Sequence, residues 1–126
     1  MLIKDISSCQ EVTAPDGAAI RELLHPDREI GELKMDYSLA YAVVKIGKST
    51  YPHRLKSSSE VYYILNGRGM MHIEDESSIV TPGQVVYVPP NKQQYIENKG
   101  QNDLEYLVIV YPSWNPSDPE LLQSRL

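Results

Sequence analysis

The stretch Glu60 to Gly83, EVYYILNGRGMMHIEDESSIVTPG, decides the fold. Its apolar residues come in three short runs, VYYIL, MMHI and SIV, each too brief to bury one stripe of a helix. Between them stand Gly67, the Asp75 to Ser78 cluster and Pro82-Gly83, residue types that turn a chain. The runs are rich in β-branched and tyrosine side chains, so short strands joined by tight turns follow. The same texture continues outward: SLAYAVVKI (38–46) upstream, then QVVYVPP (84–90), QYIEN (94–98) and LEYLVIVY (104–111) downstream. Strands recurring about every ten residues build an antiparallel sandwich or barrel.

Composition sets the bounds around this core. The 126 residues fit one domain, and 41% hydrophobic with 23% charged residues is a globular balance. Cys9 is the single cysteine, so neither an internal disulfide nor a multi-cysteine zinc site is available, and Cys9 itself reads as an inert thiol. The net charge of -5 comes from 12 basic against 17 acidic residues, with the basic ones scattered, which argues against a nucleic-acid surface. No apolar run is long enough to span a membrane and MLIKDISSCQ lacks the layout of a signal peptide, so the cytosol is the expected location. Nine Tyr, one Trp and no Phe give nearly every ring a polar tip, which suits a wet interior cavity.

The flanks are less decided. In DGAAIRELLHP, Asp16 could cap a helix, which local propensity favours, while alternation supports a mediocre strand. In SDPELLQS, Asp118 as N-cap and Pro119 at the first helical position predict a short C-terminal helix. The chain therefore divides into an N-terminal arm (1–17), a barrel (18–112) and a C-terminal flap with the helix (113–126).

Of three histidines, His53 alone stands among other potential ligands, just before a run that places Glu60, Tyr62 and Ile64 on one face. Gln94 and Ile96 share a face of a later strand. These two stretches resemble the two motifs of the cupin family. Gly47, His53, Glu60 and Gly67 fall on positions of the first motif, and Gly83, Pro89 and Asn98 on positions of the second. The chain departs from the pattern at Leu55 and Gln94, where the family has histidines, and at Asn91, where it has a glycine.

The resemblance implies an all-β fold, the double-stranded β-helix or cupin jelly-roll barrel, and implies strand rather than helix for Ala18 to Leu24. It further implies a homodimer and a divalent metal (zinc, iron, nickel or manganese) held by His53, Glu60 and Gln94, a harder and weaker set than three imidazoles and a carboxylate. Glu60 is the candidate catalytic proton carrier. Tyr62, Leu55, Tyr41 and Tyr106 are the candidate ligand-binding residues. The function implied is binding of a small molecule, with metal-dependent isomerase, lyase or oxygenase activity on a sugar or small carboxylic acid. The alternative is a metal-free, non-catalytic binding or sensory barrel, in which the polar trio satisfies itself. Alternation puts Met71 and Ile73 inward and His72 on the surface. His25, before Pro26, reads as a turn residue at the surface or a subunit contact, and Trp114 as a cap on the barrel mouth or a subunit contact.

Overall fold

The structure is a computed structural model that describes residues 1–122. Alternation of apolar and polar residues is converted into two antiparallel sheets. The strands are β1 (Glu11–Thr13), β2 (Ala19–Leu24), β3 (Ser38–Val44), β4 (His53–Leu55), β5 (Ser59–Asn66), β6 (Gly69–Ile73), β7 (Glu76–Val80), β8 (Val85–Val88), β9 (Gln94–Asn98), β10 (Leu104–Tyr111) and β11 (Pro119–Leu121). One sheet runs β1-β2-β3-β10-β5-β8 and the other β11-β4-β9-β6-β7. The chain has the all-β jelly-roll barrel of the cupin type, as the two motifs imply.

The core lies between the sheets. On β10, Leu104, Tyr106, Val108 and Val110 point inward and are buried, and their neighbours face out. Ala42 and Val44 on β3, Tyr62 and Ile64 on β5, and Ile96 on β9 close the interior. Tight connections need particular residues. Gly67 (φ +89°) turns β5 into β6, and a Cβ there would sit 2.6 Å from the Asp103 carbonyl oxygen. Asn91 replaces the family glycine at φ 66°, a left-handed conformation that asparagine tolerates better than most residues. Asn98 staples the turn that follows it, its amide donating to the Val44 and Asn102 carbonyls at 2.9 and 2.8 Å.

Two expectations meet the structure at the flanks. Ala19–Leu24 is a strand, as the family resemblance implies and against its local propensity, because pairing with β1 and β3 outweighs a marginal isolated helix. The short C-terminal helix is a correction: Pro119–Leu121 forms β11, which pairs with β4. Asp118 caps no helix. Its carboxylate accepts from the backbone N–H groups of Ser57 and Ser58 at 2.9 and 3.2 Å and so fixes the turn that leads into β5. Residues 123–126, the end of the expected flap, lie outside the described residues.

Candidate functional site

Three separate backbone segments bring the polar residues together. β4 and β9 pair with His53 opposite Gln94, which sets the imidazole and the amide side by side on the inner face. β5 supplies Glu60 and Tyr62, two residues apart and therefore on one face. The loop between β1 and β2 supplies Asp16. That loop folds onto the segment before β4 because Tyr51 N–H donates to the Asp16 carbonyl at 2.7 Å. Gly17, at φ +93°, lies so close to the Tyr51 ring that a Cβ would come within 2.8 Å of it.

The resulting cavity has a volume of about 180 Å³. His53, Glu60, Tyr62, Tyr106 and Asp16 form its polar end, while Ala40, Ala42, Leu55, Val108 and Val110 line an apolar wall. Tyr62 and Tyr106 pack with ring centroids 5.0 Å apart.

Hydrogen bonds fix the roles of these groups. His53 Nδ1 lies 2.7 Å from the Tyr51 carbonyl oxygen and must carry a proton to bond there. Nε2 is then the ring nitrogen turned to Asp16, whose Oδ2 faces it at 3.6 Å. The other Asp16 oxygen accepts from Ala18 N–H at 3.0 Å. Gln94 Nε2 donates to Glu60 Oε1 at 2.8 Å, and Gln94 Oε1 accepts from the Tyr62 hydroxyl at 2.5 Å. Burial raises the Glu60 carboxyl to about 7, helped by Asp16 and opposed by His53 and by the Gln94 hydrogen bond. Burial, with the nearby carboxylates adding to it, also pushes the Tyr62 and Tyr106 hydroxyls well above the ordinary phenol range, so both remain phenols.

A divalent ion does not fit this donor set. The Gln94 amide oxygen, which would have to coordinate, is taken by Tyr62, and its amide nitrogen is committed to Glu60. Among the described residues, no three His, Cys, Asp or Glu side chains converge as an ion-holding group. The three residues expected to hold a metal are thus close neighbours, but two of them are bonded to each other.

Of the four expected ligand-binding residues, Tyr62, Leu55 and Tyr106 line the cavity and Tyr41 does not. Tyr41 follows Ala40 and precedes Ala42, both of which line the cavity, so alternation sends its ring to the outer face. There its hydroxyl bonds Glu105, and desolvation together with that carboxylate raises the phenol to about 12. His25 is also corrected: it is 3% exposed, with Nε2 2.7 Å from the Trp114 carbonyl oxygen. Trp114 lines the cavity. The residue missed from the sequence is Asp16, which stood out there only as a helix cap. Its side chain does make a local turn bond to Ala18, yet nothing in the sequence signals that it faces His53, 37 positions away.

With the geometry in place, comparison with known proteins defines the class. Residues 40–110 match the cupin domain model, so the chain belongs to the cupin family. It is 42% identical over 108 residues to an uncharacterised protein of Methanocaldococcus jannaschii, covering 86% of this chain and 84% of that one. Solved structures share the fold, and two of them are representative. One is a predicted oxalate decarboxylase from Thermotoga maritima, with TM-score 0.76, 21% identity and coverage of 88% of this chain and 99% of that one. The other is Pac13 from Streptomyces, a nucleoside dehydratase, with TM-score 0.74, 14% identity and coverage of 98% and 92%.

Proposed function

We propose that the cavity binds a small organic molecule and moves a proton on it, as an isomerase or as a lyase that eliminates water or a similar small group. Glu60 and the His53–Asp16 pair are the two proton-handling groups. The observation that carries this reading is the Glu60 carboxyl, raised to about 7 inside a cavity that His53 also enters. A general acid or base works best when its pKa lies near the working pH. One group takes a proton from a substrate carbon. The other returns a proton to a second carbon in an isomerisation, or to the departing oxygen in an elimination. Tyr62 and Gln94 hold the Glu60 carboxyl in place, and Asp16 stabilises a protonated His53.

This is a metal-free version of the activity that the family resemblance implies. Elemental analysis of protein purified without chelator checks it. Near-stoichiometric metal that disappears in His53→Ala and Glu60→Ala would return the centre to a metal site. The mutual bonding of Tyr62, Gln94 and Glu60 favours a second reading, a binding barrel that performs no chemistry.

Deprotonation of nitroethane, a carbon acid small enough for the cavity, separates the two. Catalysis should rise with pH through a midpoint near 7 and fall about 100-fold or more in Glu60→Gln. A flat pH profile, or equal rates in the variant, rejects the catalytic reading and leaves the binding barrel.

A further inference from the structure

The cavity has a second pole. Among its lining residues, only His53 and Arg28 can carry positive charge, and Arg28 lies on the turn that follows β2. Arg28 Nη1 donates to Glu22 Oε1 at 2.7 Å, and its guanidinium carbon lies 5.8 Å from the centre of the Trp114 ring. Trp114 is pinned on both sides of its backbone: its N–H donates to Ser38 Oγ at 2.9 Å, and its carbonyl accepts from His25 Nε2 at 2.7 Å. His25 can donate there because its Nδ1 accepts from the Asp27 N–H at 3.1 Å, which leaves the proton on Nε2. His25 thus braces the ring on which Arg28 rests.

Charge and shape then orient a ligand. Asp16 and Glu60 at the polar end repel an anion; at the other end Glu22 also lines the cavity and pairs with Arg28, so an anion would share a guanidinium with five N–H donors, of which Glu22 engages one in this structure. Between the poles the wall is apolar, formed by Ile20, Ala40, Ala42 and Val108. An apolar cavity of about 150 Å³ admits benzene, so about 180 Å³ suits a body of one ring. From this we infer that the substrate is a small monocarboxylate with an apolar or weakly polar body of about one ring. Its carboxylate is held by Arg28 beside Trp114, and its reacting carbon is presented to Glu60 and His53. The inference rests on reading this cavity as the substrate site.

Benzoate and benzamide, nearly identical in shape and different in charge, test it by NMR titration of the full chain at pH 7.5. Benzoate should bind at least about tenfold more tightly than benzamide. Arg28→Met should erase the preference, Arg28→Lys should keep part of it, and Glu22→Gln should enlarge it by removing the competing carboxylate. Equal binding of the two probes, a preference that survives in Arg28→Met, or no shift of cavity resonances with either probe overturns the inference. The Glu60 midpoint, followed in the same samples, reports separately on the proton-transfer reading. A midpoint near 7 without a benzoate preference fails only the carboxylate assignment, and a preference with Glu60 titrating near 4.5 fails only the proton chemistry.

Discussion

The two faces of the five-stranded sheet each carry a histidine beside a carboxylate, and they have opposite consequences. On the inner face His53 pairs across the sheet with Gln94, is 5% exposed and meets Asp16 at 3.6 Å. On the outer face His72 pairs with Tyr95, stacks on its ring at 4.1 Å and meets Glu97 at 2.9 Å, with Ser77 on its other nitrogen. The outer pair is the shorter, yet it leaves Glu97 an ordinary stabilised carboxylate, held below its usual range chiefly by the His72 hydrogen bond. The inner cluster instead pushes Glu60 up to about 7. Distance does not separate the two sites. Solvent does, because water screens the outer charges, whereas the cavity denies Glu60 the hydration its ionised form needs.

The contrast predicts unequal responses to mutation. Gln94→Leu strips the buried Tyr62 hydroxyl of its acceptor and Glu60 of its donor, and should destabilise the fold by about 3 kcal/mol, read as a shift in the urea midpoint. Should the loss be under about 1 kcal/mol, the inner polar network is not the closed unit described. The pH dependence comes next. Glu60 binds its proton more tightly folded than unfolded, so its contribution favours folding below about pH 4.5 and is lost as pH rises toward 7. Glu60→Gln should abolish that loss and be more stable than the natural chain at pH 8 by on the order of 2 kcal/mol in denaturant titrations. Lower stability of the variant at pH 8 would contradict burial as the cause of the raised carboxyl. The outer cluster should respond least: His72→Ala is expected to cost about 0.5 kcal/mol, and a cost as large as that of Gln94→Leu would remove the distinction between the faces.

Strands with several alternating apolar residues were legible in the sequence: β3 and β5 through β10 fall on the runs whose pattern predicts them. β1, β4 and β11 have three residues each, too few for a period to register. A local helix signal, Asp118-Pro119, also overlaps β11 and loses because the Asp118 carboxylate finds two backbone N–H groups just beyond the neighbouring strand β4. Alternation placed Glu60 with Tyr62 and Gln94 with Ile96. For Tyr41 the same alternation points away from the pocket, because its neighbours Ala40 and Ala42 line the cavity.

By itself the sequence determined an all-β chain of short antiparallel strands and which residues its longer strands turn inward, since a period of two and well-placed turn residues are local properties that survive any reasonable packing, while the barrel followed from the family resemblance. The tertiary structure decided that Asp16 faces His53, that Gln94 bonds both Glu60 and Tyr62, and that Arg28 lines the same cavity. Each of these is a meeting of side chains from distant segments, and the free energy of such a meeting depends on burial and on competing partners that no short stretch of sequence contains.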